Sequence, residues 1–262
     1  MWPGSYGICR FCEDEGRPLI RGADVLDFAT GCGAAAVAAK RAGARSVLLN
    51  DIDPWSTLIA KINMGMNDEA GVDTDGPDIF DTNGEFELRE TTQNLIGRAA
   101  GELFPNEYVN GSGGASSAMA PRVVLAGDVC YEEVLAGQVI DWLRDMAAHD
   151  GVTVRGDGVG TWPFPLPLPC PRPRPRRCRN HHLGEPSAFG TPPQVLLGDP
   201  GRHACPTDDA SLLREVARYP LPKALLDENY GMLETGVWQV QPPSAVGAAF
   251  LSEVGDKPKA PG

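Results

Sequence analysis

Val25–Lys40 reads VLDFATGCGAAAVAAK, and this stretch decides the fold. A short apolar run ends at Asp27, the chain turns through Ala29–Thr30–Gly31–Cys32–Gly33, and a run of small residues follows, with Gly43 placed to stop a helix. An apolar run of strand length before a glycine turn and a helical run predicts a buried parallel strand feeding a helix. Glycine lets the backbone turn tightly and lets a ligand approach the main chain. The first turn of the helix adds N–H groups that have no partner within it.

The rhythm continues outward. RSVLLND (Arg45–Asp51) reads as a second buried strand, and PWSTLIAKINMGMN as a second helix with Pro54 suited to its first turn. FELRETTQ (Phe86–Gln93) and RVVLAGD (Arg122–Asp128) read as the third and fourth strands. EEVLAGQVIDWLRDMAAH follows as an amphipathic helix, with Val134, Leu135, Val139, Trp142, Leu143 and Met146 at helical spacing. QVLLGDP (Gln194–Pro200) reads as another buried strand, and KALLDENY…TGVWQVQP as a hairpin. Strands alternating with helices predict an α/β fold with a Rossmann-like, mostly parallel sheet and helices on both faces. Residues 1–22 read as a helical segment that begins almost on a motif, as though sequence preceded it. Residues 23–242 read as the domain and 243–262 as a disordered tail. Three stretches break the rhythm: 68–85, 105–121 and 155–194. The last contains PFPLPLPCPRPRPRRCR and separates GVTV from VLLGDPGR, which would otherwise form one strand. It reads as a disordered insertion or a gene-model artefact, since an interrupted central strand loses its ladder.

The chain has 262 residues, 42% hydrophobic and 22% charged, which is the balance of a globular protein. A formal charge of −12 disfavours nucleic acid as a partner and favours a basic protein segment. No apolar run is long enough for a membrane helix, and the first residues do not resemble a secretory signal. Seven cysteines, an odd number, suggest reduced thiols in an intracellular protein. Cys9-x-x-Cys12 and Cys178-x-x-His181 could in principle make a zinc site, but nothing flanks either pair, so free thiols and no metal are expected.

The turn is G-x-G with an acid before it. Asp27 would repel a pyrophosphate and suits a cationic amino-acid moiety, which favours S-adenosylmethionine over a dinucleotide. Asp51, at the carboxyl end of the second strand, is placed to accept hydrogen bonds from ribose hydroxyls, with Asp53 as the alternative. GDVCYEE ends the fourth strand, so Asp128 and Tyr131 should face the same crevice. Asp128 could orient an incoming amine, or it could simply cap the following helix.

WPGS (Trp2–Ser5), VLDFATGCGAAAVAAKRAGA, NDIDP, LAGDVCYEE, LLGDPGR and VWQVQP occur in that order. Together they resemble the electron transfer flavoprotein beta subunit lysine methyltransferase family, which is similar to the ribosomal-protein methyltransferases. The resemblance implies a seven-strand class I methyltransferase sheet with the last strand antiparallel, and S-adenosylmethionine as cofactor. It implies cofactor contacts from Trp2, Asp27, Ala29, Gly31, Gly33, Asp51 and Asn94, with Ala29 standing where many relatives carry glycine. It raises Asp128 and Tyr131 to catalytic or lysine-orienting residues. The implied partner is the flavoprotein beta subunit, and the implied compartment is the mitochondrial matrix in a eukaryote or the cytoplasm otherwise. A ribosomal protein or small molecule as target, or an inactive binding protein of the same fold, are the alternatives. "GDPGR" reads mainly as a turn, and neither Arg202 nor His203 is expected to be catalytic.

Overall fold

A computed structural model describes residues 1–68, 86–104, 122–148, 192–226 and 231–243. The proposed insertion at 155–194 lies outside them apart from its last residues, as do nearly all of 68–85, all of 105–121, and the tail from 244 on. The elements run α1 (Pro3–Glu13), α2 (Arg17–Ile20), β1 (Asp24–Phe28), α3 (Ala34–Arg41), β2 (Ser46–Asn50), α4 (Pro54–Asp68), β3 (Glu87–Thr91), α5 (Ala100–Leu103), β4 (Arg122–Gly127), α6 (Glu133–Ala148), β5 (Gln194–Asp199), β6 (Leu213–Pro220), α7 (Lys223–Leu226) and β7 (Glu234–Val240).

The seven strands form one sheet in the order β3-β2-β1-β4-β5-β7-β6. The first five pair in parallel, and β7 enters antiparallel between β5 and β6. This is the seven-strand, mostly parallel sheet with its last strand antiparallel that the resemblance implies. The strand order reverses between β1 and β4, and ligands of open α/β sheets bind beyond the carboxyl ends of the strands at such a switch point.

Alternation along the strands divides the interior in two. Val25, Val47, Leu49, Val123, Leu125 and Leu196 face α1, α3 and α4. Leu26, Phe28, Leu48, Val124, Ala126 and Leu197 face α5 and α6. Phe28 packs against Trp142 with ring centroids 4.8 Å apart and the rings tilted by 57°. The Trp142 indole N–H donates to the Arg98 carbonyl at 2.9 Å, so its one polar atom is satisfied in the core.

Two expectations are corrected. The hairpin does not start at KALL, which forms the short α7. It joins β7 to β6, a strand that the sequence pattern hides. LREVARYP carries a register irregularity between Glu215 and Ala217, and its burial does not alternate cleanly, so no period of two is legible. Val134 is 61% exposed and not part of the core stripe, because the first turn of α6 opens on the same exposed edge as Tyr131.

The α1 helix lies on the sheet at unusually close range, and this explains the glycine of WPGS. A Cβ on Gly4 would stand 2.2 Å from the Gly198 carbonyl oxygen, and one on Gly198 would stand 2.1 Å from the Gly4 oxygen. Gly127 meets Ser5 in the same way. Gly198→Ala should therefore cost about 3 kcal/mol, the upper range for overpacking against backbone. Urea unfolding should show a lower midpoint at unchanged slope; an unchanged midpoint would show that α1 can lift at no cost.

Candidate active site

The loop after β1 has three residues in the left-handed region: Ala29 at φ 55°, Gly31 at φ 51° and Gly33 at φ 76°. The glycines do different work. A Cβ on Gly33 would lie 2.7 Å from the Ala60 Cβ, so Gly33 lets α4 close on the loop. A Cβ on Gly31 meets nothing within 4 Å, so Gly31 borders open space. Ala29 bears its strain with a methyl group, the smallest side chain that has a Cβ.

Asp27 lies beneath this loop and is 2% exposed. Its Oδ2 accepts from the Thr30 hydroxyl at 2.5 Å and from the Ala36 N–H at 3.1 Å, tying the strand end to the turn and to the first turn of α3. Burial pushes its carboxyl up to about 6, against the lowering effect of those two bonds. Above that value it carries the negative charge that a cationic ligand requires. S-adenosylmethionine affinity should therefore hold above pH 6 and fall up to about tenfold per unit below it. Titration calorimetry from pH 5 to 8 checks this; an Asp27→Asn variant should bind more weakly and without that slope. The free protein should show the opposite trend. A raised carboxyl contributes stability that is complete below the unfolded value of 3.8 and is lost as pH rises through about 6.

Asp51 reaches the same loop. Its Oδ2 accepts the Gly31 N–H at 3.0 Å and its Oδ1 accepts the Asp53 N–H at 3.0 Å. Asp53 is committed elsewhere: its Oδ1 accepts the Trp55 N–H at 3.0 Å, which makes it the cap of α4. Of the two acids, Asp51 is thus the one bonded to the glycine loop, and Asp53 is the one bonded to α4. Asn50 sends its amide to the Thr91 and Gln93 carbonyls at 3.1 and 2.9 Å, and so holds the end of β3 beside β2. Asn94 follows there, with its Oδ1 accepting the Ile96 N–H at 3.0 Å. Trp2 stands at the start of α1 and is 62% exposed.

Across the switch point, β4 is followed by Asp128, a non-glycine residue at φ 61°. It does not cap α6. That cap is the Glu132 carboxylate, which accepts from the Val134 and Leu135 N–H groups at 3.0 and 2.7 Å and is held below its ordinary range by those bonds. Asp128 faces inward, with a side chain 2% exposed. It pairs with the Arg202 guanidinium and accepts the Gly4 N–H at 3.3 Å. Hydrogen bonding to Asp128 raises the Arg202 pKa further. Tyr131, three residues on, is 63% exposed.

Arg202 is the residue that sequence reasoning missed. GDPGR does turn the chain: Asp199 Oδ1 accepts the Gly201 and Arg202 N–H groups, each at 2.7 Å. The same turn delivers Arg202 to Asp128, across 74 residues of sequence. Only the pairing of β4 with β5 brings the two together. Cys9 and Cys12 are free thiols. Burial pushes Cys12 up to about 12 and Cys9 higher still, which makes both poor nucleophiles. The Cys178–His181 pair lies outside the described residues.

Residues 16–80, which contain both the glycine loop and Asp51, match the family model "Ribosomal protein L11 methyltransferase (PrmA)". The electron transfer flavoprotein beta subunit lysine methyltransferase of Xenopus laevis is 28% identical over 92% of this chain and 68% of its own length. The chain is similar to that enzyme. The human protein of the same name is 26% identical, with 92% of this chain and 63% of its own length covered. A ribosomal protein L11 methyltransferase from Pelobacter propionicus is 33% identical over 49% of the chain and 45% of its own length. The chain thus spans about two thirds of the length of the flavoprotein methyltransferases. The open face at Gly31, the two carboxylates at the loop and the sheet topology fit S-adenosylmethionine, whose ammonium, sulfonium and ribose hydroxyls are the groups such a cradle suits.

Proposed function

We propose that the chain is an S-adenosylmethionine-dependent protein-lysine N-methyltransferase acting on the electron transfer flavoprotein beta subunit. One observation carries the reading: the glycine cradle with Asp27 and Asp51 and the Asp128–Tyr131 turn follow the carboxyl ends of the paired strands β1 and β4, at the switch point. Asp27, Gly31 and Asp51 would hold the cofactor, with Asn94 beside its adenine, Trp2 at the rim, and Ala29 and Gly33 shaping the loop. The cofactor supplies a methyl group on a sulfonium, whose sulfur keeps the bonding pair when that bond breaks.

The residues of the chain then have to present a neutral amine in line with that methyl. Lysine has an ordinary pKa of about 10.4, so its proton must leave before the lone pair can attack. Tyr131 is exposed on the rim and suits the lining of a lysine channel. Asp128 acts as a positioning residue: its bonds to Arg202 and Gly4 hold the strained turn from which Tyr131 projects. Fixing nucleophile and electrophile in line is where such an enzyme gains most of its rate.

A basic, lysine-bearing protein segment suits a chain of charge −12. Among the described residues, no helix is long and apolar enough to cross a membrane. The compartment proposed with this substrate is the mitochondrial matrix for a eukaryotic chain and the cytoplasm otherwise. The match of residues 16–80 to the ribosomal family favours one second reading, a ribosomal-protein target. Transfer of tritiated methyl from S-adenosylmethionine to purified flavoprotein beta subunit or ribosomal protein L11 separates the two. Label on lysines of the beta subunit supports the proposal, and label on L11 alone replaces it. No binding of S-adenosylmethionine at millimolar concentration would overturn both.

A further inference from the structure

Beneath the Asp128–Arg202 pair lies a cluster that methyl transfer does not use. Cys130 follows β4, Asp199 ends β5, and Cys205 closes the turn after it. They are 0%, 1% and 6% exposed. One sulfur or oxygen atom from each lies within 4.8 Å of the other two. Asp199 spends Oδ1 on the Gly201 and Arg202 N–H groups, while its Oδ2 is buried with no hydrogen-bond partner. A buried carboxylate oxygen without a partner costs more than an ordinary hydrogen bond returns, so one this well enclosed calls for a partner.

We propose that Cys130, Asp199 and Cys205 form a buried site for a zinc ion. Two thiolates with one carboxylate select a borderline-soft divalent cation over calcium or magnesium, which prefer six or more oxygen ligands. Zinc–sulfur bonds of about 2.3 Å place two tetrahedral sulfurs about 3.8 Å apart, so the cluster closes with side-chain shifts of about 1 Å or less. Three protein ligands leave a fourth position for water. The turn is braced for this: the Cys205 N–H donates to the Arg202 carbonyl at 2.9 Å, and the Thr207 N–H to the Cys205 carbonyl at 2.8 Å. Three negative ligands around a dication leave one negative charge, which faces the Arg202 guanidinium. The ion would join the ends of β4 and β5 directly under the turn that carries Asp128. This departs from the expectation of no metal. The reason is spatial: Cys130 and Cys205 are far apart in sequence, and neither sits in a paired motif.

Cobalt(II) titration of the full chain, reduced and stripped of metal, tests the site. One cobalt per chain should bind, with near-ultraviolet sulfur-to-cobalt absorption of two thiolates and the visible bands of a tetrahedral ion, and zinc should displace it. Cys130→Ser and Cys205→Ser should each weaken binding about 100-fold, and Asp199→Asn about tenfold, while Cys9→Ser and Cys178→Ser leave it unchanged. Zinc should also raise the melting temperature of the wild-type chain but not that of a folded Cys205→Ala variant, which keeps the test valid if the serine variants fold poorly. Three results would overturn the site. One is no cobalt bound at millimolar metal. Another is binding that survives loss of either cysteine. The third is a Cys130–Cys205 disulfide that takes no metal after reduction.

Discussion

Asp128→Asn should lower kcat about 100-fold and leave the S-adenosylmethionine Kd within about twofold of wild type. Asparagine keeps an acceptor for the Gly4 N–H, so the attachment of α1 survives. What it removes is the negative partner of Arg202, whose side chain is only 18% exposed. A guanidinium left half-buried without its carboxylate pulls the turn toward solvent and takes Tyr131 out of line. The double variant Asp128→Asn with Arg202→Met tests the coupling: it should lose clearly less than the product of the two single losses. Stopped-flow methyl transfer with cofactor binding measured in parallel separates the cases. A rise in cofactor Kd equal to the fall in kcat would mean that Asp128 serves the cofactor and not the presentation of the amine.

Gly31→Val and Gly33→Val should fail for different reasons. Gly31 borders open space, so a valine there meets only the cost of φ 51°, about 1–2 kcal/mol, and the chain folds. Its side chain would fill the cradle, and cofactor affinity should drop about 100-fold, equivalent to about 2.7 kcal/mol. At Gly33 the first added carbon already lies 2.7 Å from the Ala60 Cβ and 2.9 Å from its Cα. That variant has to push α4 off α3, and it should lose cooperative unfolding before its ligand affinity can be read. Thermal melts alongside calorimetry distinguish the two. A Gly31→Val chain with wild-type affinity would place the ligand somewhere other than this loop.

The alternation of strand and helix, the β1 loop and the acid ending β2 were legible because their signals are local. Apolar runs of strand length, glycine at forced turns and helical spacing are all written within a few residues. WPGS was legible as a motif but not as a cause. Its glycine is required by the Gly198 oxygen, which lies on a strand almost 200 residues away. β6 was illegible because its bulge breaks the period of two. Of the alternatives left open for Asp128, the helix cap is excluded by a neighbour, Glu132, whose longer side chain reaches the same N–H groups.

By itself, then, the sequence determined a mostly parallel α/β sheet and pointed to a cationic, adenosyl-type ligand at Val25–Lys40, since the strand, the glycine turn and the acids beside it are all local signals. Only the tertiary structure decided that Asp51 and not Asp53 serves the loop, that Arg202 holds Asp128, and that Cys130, Asp199 and Cys205 converge. Those choices depend on which strand ends lie side by side, and strand order is set by packing across the whole sheet.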